Sequence, residues 1–174
     1  MSSKEDVTVR NAVEADLDRV AELWAEMIEL HHGLDDRFWR RKPDGNEIFR
    51  QWMAEALGDE KCVLVVAEVD GAVAGFVHGS LVNAPPPVEE KISGNITDVS
   101  VGYDYRGKGI GSKLLDELEK SIKQKGGRQV TLNAREIAVG FYEDHGYEIV
   151  AKAHTLYGCI EHFKMRKSLG SGAL

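Results

Sequence analysis

The sequence predicts an α/β protein in which a mixed sheet carries helices on both faces. Stretches with apolar residues at helical spacing alternate with short stretches rich in β-branched residues. Glycines follow the predicted helices, and one Asp-Gly pair separates two apolar runs. Taken in order, these signals predict the element sequence β-α-α-β-β-β-α-β-α-β-β.

The chain begins with a short alternating strand, about Val7 to Arg10. Two amphipathic helices are expected next, at about Glu14 to His31 and Asn46 to Leu57. The first has apolar residues on one side and acidic residues on the other, which is typical of a helix that covers a sheet.

Two β-branched runs follow, Cys62 to Val69 and Ala72 to Val82. The pair Asp70-Gly71 lies between them. Asp-Gly between apolar runs predicts a β-hairpin with a tight turn, because both turn positions need positive φ.

The strand expected at about Gly94 to Val101 has an irregular pattern. Ile96 is apolar, but the next apolar residues are Val99 and Val101, whereas strict alternation would place them at 98 and 100. A shift of one residue turns side chains to the wrong face unless an extra residue is accommodated. We therefore predict a β-bulge near Thr97-Asp98. The alternative is a strand buried on both faces.

The second half of the chain continues the alternation of helices and strands. Its elements are a helix at about Gly109 to Lys125, a strand at Gln129 to Asn133, a helix at Glu136 to His145, and strands at Tyr147 to His154 and Ile160 to Met165. Gly126-Gly127 and Gly146 are expected to end the two helices.

A chain of 174 residues fits one domain, residues 1–174, with flexible ends at about 1–6 and 168–174. The longest apolar run, Cys62 to Ala67, is far shorter than the roughly 20 residues that cross a bilayer. The first residues are polar, unlike a secretory signal. Cys62 and Cys159 are too few for a disulfide framework or a zinc site, so we expect reduced thiols and a cytoplasmic protein.

Acidic residues outnumber basic ones by 29 to 22. The excess lies in residues 14–36, which hold eight acidic residues and one basic residue, Arg19. Nucleic-acid binding needs clustered Lys and Arg, and the sequence has no such cluster. We therefore expect a small-molecule partner, with cationic molecules favoured, and neither nucleic acid nor membrane.

The segment Arg106-Gly107-Lys108-Gly109-Ile110-Gly111 separates a predicted strand from a predicted helix. Glycines let a backbone approach a ligand closely, and a helix start offers N–H groups and a positive dipole end, so a phosphate cradle is predicted. A P-loop would need Ser or Thr where Gly109 stands. The dinucleotide fingerprint would need Gly at Ser112 and a place after the first strand of a βαβ unit. Both nucleotide-binding alternatives are therefore disfavoured.

Arg106-x-x-Gly109-x-Gly111 resembles the acyl-CoA pyrophosphate motif of the GNAT superfamily of acetyl-CoA-dependent N-acetyltransferases. The preceding residues, Ile96 to Val101, resemble that family's strand, which carries a bulge where we expect one. Phe141 to Tyr147 resembles a later family motif, an aromatic-Tyr pair on a short helix before a Gly-aromatic turn. The resemblance covers about Val7 to Lys167. It implies a mostly antiparallel central sheet splayed at the bulge, with acetyl-CoA as co-substrate.

The resemblance also implies which residues hold acetyl-CoA. Strand backbone would pair with the pantetheine arm as an added strand does, and the glycine loop would hold the pyrophosphate. The residues implied in these roles are Val99, Ser100, Val101, Arg106, Gly107, Lys108, Gly109, Ile110, Gly111 and Ser112. Where the family often has Asn facing the cofactor, this chain has Arg135, and Asn133 is the candidate to serve instead.

The implied reaction is attack of a neutral amine on a thioester, which needs a proton acceptor and a proton for the leaving thiolate. Tyr142 matches the family position often used as general acid, although tyrosine there also often serves only in packing. The family frequently places Glu on the bulged strand as base. Asp98 is the only carboxylate in that stretch and is the candidate base, its alternative role being a structural acceptor at the bulge.

The acceptor pocket in the resembling family is shaped by the segment between the first two helices and by the last hairpin, here about Asp35 to Arg41 and Leu156 to Glu161. Carboxylates beside aromatic rings suit a cationic amine. The candidate acceptor residues are Asp35, Asp36, Phe38, Trp39 and, on a strand, His78. The alternatives are a solvated surface and a histidine packed in the sheet. No metal site is expected at His31-His32, because adjacent side chains point apart on a helix.

These features predict an N-acetyltransferase that moves an acetyl group from acetyl-CoA to a primary amine, small and cationic or amino-acid-like. Two alternatives stay open. One is an acyl-CoA-binding sensor or partner-assisting module with little turnover, and the other is an acetyltransferase of peptide or protein amines. A homodimer is also left open.

Overall fold

A computed structural model describes residues 6–83, 86–87, 92–156 and 160–170. The strands are β1 (Val7–Asn11), β2 (Cys62–Val69), β3 (Ala72–Val82), β4 (Ser93–Val101), β5 (Gln129–Arg135), β6 (Glu148–Leu156) and β7 (Ile160–Ser168). The helices are α1 (Leu17–Leu34), α2 (Gly45–Leu57), α3 (Ile110–Gln124) and α4 (Val139–Asp144), with 3-10 turns at Glu14–Asp16, Tyr103–Tyr105 and Glu136–Ala138. The predicted element order is confirmed, with ends shifted by a few residues.

The strands are hydrogen-bonded in the order β1-β2-β3-β4-β5-β7-β6. β4 and β5 are parallel, whereas the pairs β1–β2, β5–β7 and β6–β7 are antiparallel. The predicted mixed, mostly antiparallel sheet is therefore confirmed. β7 lies between β5 and β6, an arrangement that the order along the chain does not reveal.

The chain divides into two compact units. Unit 1 comprises the described residues of Met1–His78 and Asp98–Leu118, and unit 2 those of Gly79–Thr97 and Glu119–Leu174. β3, β4 and α3 each run from one unit into the other. The single-domain organisation stays a prediction.

In unit 1 the apolar sides of α1 and α2 pack against β2 and β3. Their buried core consists of Ala12, Leu17, Val20, Ala21, Leu23, Phe49, Met53, Leu64, Val66 and Phe76. The rings of Phe76 and Phe49 lie 6.1 Å apart. On the opposite face of β3, an added Cβ at Gly75 would lie 3.1 Å from Leu114 of α3. Helices therefore cover both faces of the sheet in this unit.

In unit 2 the end of α3 packs against the start of β4. Ile122 is fully buried, and an added Cβ at Gly94 or Gly127 would lie only 2.3 Å from one of its side-chain carbons. The two glycines therefore make room for this side chain. Gly126, at φ +91°, and Gly127 end the helix as predicted, because their N–H groups donate to Lys123 O and Ile122 O in a Schellman motif.

The hairpin between β2 and β3 is confirmed at the level of its backbone. Asp70 and Gly71 have φ values of 49° and 81°. Both turn positions therefore lie in the left-handed region that the Asp-Gly pair predicts.

The bulge near Thr97-Asp98 stays a prediction. It was predicted from a change of phase in the apolar pattern, and the burial of β4 does not show that change. The buried residues of β4 are Gly94, Ile96 and Ser100, whereas Val99 and Val101 are half-buried. Burial therefore keeps an even-numbered phase through the strand, although the apolar residues change phase. A polar residue, Ser100, takes the buried position that the apolar pattern assigned to its neighbours.

Near the C-terminal end, Ser168 is the last residue of β7, and Leu169 N–H donates to Arg128 O at 3.0 Å. The flexible ends at about 1–6 and 168–174 stay a prediction, and residues 1–5 and 171–174 lie outside the described residues. Cys159 and part of the predicted segment Leu156 to Glu161 lie outside the described residues. Within the described ranges, no helix combines the length and apolar character needed to cross a membrane.

Candidate functional site

The glycine loop lies in unit 1, between the turn Tyr103–Tyr105 and α3. Gly107 and Gly109 have φ values of +75° and +74°, and an added Cβ at either would meet no atom of the described residues within 4 Å. Backbone conformation, and not crowding, is therefore what requires glycine at both positions. The open space beside their Cα atoms lets a ligand approach the main chain closely.

The loop leads directly into the first turn of α3. The first intrahelical hydrogen bond runs from Lys113 N–H to Gly109 O, at 3.2 Å. N–H groups of a first turn have no acceptor within their own helix, and the helix dipole places partial positive charge there. The residues of this turn are Ile110, Gly111 and Ser112. The arrangement suits an anion such as a pyrophosphate.

Two cationic side chains flank the loop. The Arg106 guanidinium lies 5.8 Å from the ring centre of Tyr103, and Lys108 Nζ lies 5.7 Å from that of Tyr105. Arg106 Nε also donates to Val101 O at 2.9 Å. These contacts hold two positive charges at the exposed rim of the loop.

The last residues of β4 precede this loop. Ser100 is buried and its Oγ donates to Leu23 O of α1 at 3.0 Å, so its side chain is committed to the fold. The register of β4 with β5 ends at Asn95, before Val99 and Val101 are reached. The backbone at these two positions is therefore outside that ladder, as strand addition by a ligand would require.

Asp98 and His78 lie next to each other in unit 1. Asp98 Oδ2 is 3.6 Å from His78 Nδ1, and their side chains are only 16% and 14% exposed. Both ring nitrogens of His78 are buried and have no hydrogen-bond partner within the part of the chain that the structure describes. The sequence nominated these residues separately, as a base and as an acceptor contact. Their proximity was not predicted, because the turn residues do not define how β3 aligns with β4.

Tyr142 lies in unit 2, on α4. Its ring makes edge contacts with Phe141, at 5.1 Å, and Tyr147, at 5.6 Å between ring centres. Gly146, at φ +83°, ends the helix, and the N–H of Tyr147 donates to Tyr142 O. The Gly-aromatic turn of the sequence motif therefore holds the tyrosine ring in place.

Tyr147 itself has a structural role. It is buried, and its hydroxyl donates to Glu119 Oε1 at 2.9 Å. Lys167 Nζ donates to the other oxygen of Glu119 at 2.7 Å. The buried carboxylate is thus satisfied by two donors within unit 2.

Asn133 and Arg135, the two residues nominated on β5, are also in unit 2. Asn133 is exposed and lies opposite Lys164, whereas Arg135 is half-buried opposite His162. The His162 ring stacks on that of His154 at 4.4 Å. Burial lowers the pKa of His162, and the nearby His154 and Arg135 lower it further, against a backbone contact to Ile160 that raises it. No motif in the sequence indicated this cluster.

The acceptor candidates between α1 and α2 differ in their surroundings. The carboxylate of Asp35 accepts two hydrogen bonds from the Arg37 guanidinium, both at 2.8 Å, and one from the Arg37 N–H. Phe38 contacts the ring of His31 edge-on at 5.0 Å. Asp36 is exposed, and Trp39 is 59% exposed. Asp36 and Trp39 are therefore the nominated residues that face solvent here.

The acidic segment 14–36 is largely neutralised by arginines. Seven of its eight carboxylates form ion pairs, and four of the five arginines involved come from outside the segment. The pairs join Arg10 to Asp16, Arg19 to Glu22 and Glu26, Arg37 to Asp35, Arg41 to Glu29, and Arg50 to Glu14 and Asp18. The eighth, Asp36, has no ion pair among the described residues. The negative electrostatic field of this segment is therefore much weaker than its number of acidic residues suggests.

Comparison with known proteins gives the class. Residues 24–147 match the model of the acetyltransferase (GNAT) family. An uncharacterized N-acetyltransferase of Methanocaldococcus jannaschii is 29% identical over 144 residues, which cover 81% of this chain and 60% of that protein. Another, from Archaeoglobus fulgidus, is 34% identical over 117 residues, covering 67% of this chain and 74% of that protein. This chain belongs to the acetyltransferase (GNAT) family.

Solved structures agree in fold. A PaiA N-acetyltransferase from Thermoplasma acidophilum, in complex with coenzyme A, has a TM-score of 0.70 at 16% identity, covering 94% of this chain and 99% of that one. An aminoglycoside 6'-N-acetyltransferase with coenzyme A has a TM-score of 0.71 at 15% identity, covering 96% and 99%. These structures support the fold. The family match and the N-acetyltransferase relatives confirm the resemblance drawn from the two motifs, and with it the class: acetyl-CoA-dependent N-acetyltransferases, with acetyl-CoA as co-substrate.

Proposed function

We propose that this chain transfers the acetyl group of acetyl-CoA to the primary amine of a small cationic acceptor. The observation that carries the proposal is the loop at Gly107 and Gly109. Its left-handed glycines and open Cα positions lead into the first turn of a 15-residue helix. A pyrophosphate needs this combination of N–H groups, partial positive charge and backbone access.

Each group of candidate residues binds a different part of acetyl-CoA. The first turn of α3 and Ser112 take the pyrophosphate, and Arg106 and Lys108 add positive charge at the rim. The backbone of Val99 and Val101 pairs with the pantetheine arm as a further strand would. Asn133 is the proposed contact from β5.

The chemistry follows from the thioester. The amine nitrogen attacks the carbonyl carbon, the C–N bond forms, and the C–S bond breaks as the thiolate leaves. Tyr142 donates its hydroxyl proton to that thiolate and then regains a proton released from the acylated nitrogen. The rings of Phe141 and Tyr147 hold Tyr142 for this step.

The proposal of a cationic acceptor is supported by Asp36 and Trp39. An exposed carboxylate and an exposed indole, three residues apart in the segment between α1 and α2, suit an ammonium group. Proteins that share the fold differ in the acceptors they are named for: one is an aminoglycoside 6'-N-acetyltransferase and another a ribosomal-protein-alanine N-acetyltransferase. The fold alone therefore does not identify the acceptor, and the proposal of a cationic acceptor is based on the exposed carboxylate of Asp36.

The test measures coenzyme A released from acetyl-CoA with a panel of acceptors: polyamines, aminoglycosides, free amino acids and short peptides with free N-termini. We expect turnover with at least one small cationic amine, and calorimetric binding of acetyl-CoA but not of ATP. Turnover with peptides alone would replace the small acceptor by a protein amine. Tight acetyl-CoA binding without any turnover would indicate a sensor and would refute the proposal.

A further inference from the structure

His78 and Asp98 face each other across β3 and β4. Gly102 N–H donates to Ala74 O at 2.8 Å. Four residues forward from Ala74 in β3 is His78, and four residues back from Gly102 in β4 is Asp98. The antiparallel register therefore places His78 opposite Asp98, which agrees with their 3.6 Å contact. Directly opposite residues project from the same face of a sheet, so the pair is part of the strand geometry and not a chance contact between loops.

The pair lies on the face of the sheet that α1 and α2 cover. Side chains two residues apart in a strand share a face, so His78 projects on the same side as Phe76. Phe76 belongs to the core with α1 and α2. On β4, Ser100 likewise shares the face of Asp98, and its Oγ reaches α1. Asp98 is also the residue directly before the β4 segment proposed to bind the pantetheine arm.

The imidazole of His78 differs from those of other histidines in the chain. In three others, Nδ1 lies within 3.2 Å of a backbone carbonyl oxygen. These are His32 with Phe38 O, His145 with Phe141 O, and His162 with Ile160 O. Among the described residues, neither buried nitrogen of His78 has a hydrogen-bond partner. Buried polar groups in native proteins are nearly always hydrogen-bonded, so an exception calls for an explanation such as a catalytic role or a bound water or ion.

The charged surroundings of His78 are simple. From β4, Asp98 lies within ion-pair distance. Arg19 of α1 reaches β3 at Val73 O, five residues before His78, and binds Glu22 and Glu26. Glu68 of β2 is held by Arg10. Among the described residues, Asp98 is the charged group within ion-pair distance of this ring.

We propose that His78 is the proton acceptor for the attacking amine and that Asp98 is its positioning residue. The inference rests on the proposed function and deepens it, since it changes the role that the sequence suggested for Asp98. The Asp98 carboxylate orients the Nδ1–H and leaves Nε2 as the acceptor. A small ring rotation shortens the 3.6 Å contact, and catalytic hydrogen bonds commonly tighten only when substrate binds.

The proton balance is closed. The acceptor arrives as an ammonium ion and gives one proton to His78 Nε2, which becomes an imidazolium beside the Asp98 carboxylate. The resulting neutral amine attacks the thioester, and the thiolate takes its proton from Tyr142. Tyr142 recovers a proton from the acylated nitrogen. After product release, His78 returns its proton to water, so each turnover releases one proton.

The test compares kcat/KM against pH for the wild type, His78→Gln and Asp98→Asn, all with one acceptor from the panel. The wild type should show a fall in rate on the acid side as the acceptor group becomes protonated. His78→Gln should lose that acid limb and fall roughly 10²–10⁴-fold in kcat/KM, as expected when a general base is removed. Asp98→Asn should lose less rate than His78→Gln and keep an acid limb, because His78 remains but its positioning carboxylate is lost. Because all variants share the acceptor, its own ionisation is common to every profile.

His154→Gln is the matched control, since it changes a histidine outside the proposed machinery and should keep both rate and profile. Circular dichroism and calorimetry with acetyl-CoA check that each variant folds and binds the co-substrate. An unchanged profile in a folded His78→Gln variant would overturn this inference while leaving the acetyltransferase intact. If His78→Gln does not fold, a wild-type kcat/KM in a folded Asp98→Asn variant would overturn it equally. Absence of wild-type turnover with every acceptor would refute both proposals.

Discussion

Two tyrosines five residues apart, Tyr142 and Tyr147, show how one residue type serves two purposes. Tyr147 is buried with its hydroxyl on Glu119, whereas Tyr142 is half-buried at the surface of α4. The first arrangement satisfies a buried carboxylate, and the second leaves a phenol near solvent on a rigid turn. We therefore expect Tyr147 to contribute to stability, and proton transfer stays the role proposed for Tyr142.

Replacing each tyrosine by Phe separates the two roles. Tyr142→Phe should lower kcat roughly 10²–10⁴-fold, towards the lower end because a thiolate leaves readily, and acetyl-CoA affinity should not change. Steady-state kinetics and calorimetry measure both quantities. Tyr147→Phe is the control: it should lower the free energy of unfolding by about 1–3 kcal/mol and keep kcat. Wild-type kcat in Tyr142→Phe, with chemistry shown to limit the rate, would make Tyr142 a packing residue.

At the scale of the element, the loop before α3 combines two requirements that one glycine meets. Gly109 has a left-handed backbone, and the proposed pyrophosphate site needs the space beside it to stay open. A side chain at this position therefore costs stability through strain and costs affinity through bulk or charge. The two costs can be measured apart.

Gly109→Ala and Gly109→Glu carry the same backbone strain, about 1–2 kcal/mol of stability. Only Gly109→Glu adds bulk and negative charge where the pyrophosphate is proposed to bind. It should weaken acetyl-CoA at least tenfold, or about 1.4 kcal/mol, and by more than Gly109→Ala does. Calorimetry of both folded variants measures the difference. Equal affinity in the two variants would remove this loop from the pyrophosphate site.

Local sequence signals predicted the elements well where one residue type is required by the backbone. Asp70-Gly71 and Gly126-Gly127 behave as predicted, because positive φ leaves few alternatives to glycine. The apolar pattern of β4 was a weaker guide. Ser100 is buried there because its hydroxyl finds Leu23 O, a partner supplied by a distant helix that no local pattern reveals.

Contacts between side chains on different strands could not be predicted from the sequence. The connection between β3 and β4 is long, so nothing in the chain specifies that His78 lies opposite Asp98. The sequence therefore predicted His78 and Asp98 as two unrelated site residues, and the structure shows that they form a pair. For the same reason, the sequence did not predict that the rings of His154 and His162 stack, because these residues lie on different strands and belong to no motif.

At the scale of the whole molecule, the acidic composition has a different meaning in the fold than in the sequence. The net charge of −7 equals the local excess in residues 14–36, which suggested a surface for cations. In the structure, arginines from other segments engage most of these carboxylates. One of them, Asp16, is buried, and its ion pair should make the stability of the protein depend on pH.

Asp16 is held by two donors. The Arg10 guanidinium donates to both of its oxygens, at 2.7 and 3.0 Å, and the Val13 N–H donates at 2.8 Å. The hydrogen bonds from Arg10 lower the pKa of Asp16 below its ordinary value of 3.8, burial opposes them, and the Val13 N–H lowers the pKa further. The native state therefore holds the carboxylate charged more strongly than the unfolded chain does.

The sign of the effect follows by linkage. A carboxylate whose pKa is lowered by folding stabilises the native state fully above its unfolded pKa, and this contribution is lost as pH falls through the folded pKa. Urea unfolding from pH 7 down to pH 3 should therefore show a falling free energy of unfolding below about pH 4–5. Asp16→Asn should lose about 1.5–3 kcal/mol at pH 7, the usual contribution of hydrogen bonds to a charged group, and its decline at low pH should be shallower. Asp18→Asn is the control, because Asp18 is 79% exposed and its pair with Arg50 lies in water, so stability and slope should stay near wild type. If the two variants gave the same curve, the buried pair at Asp16 would not be a source of the acid sensitivity.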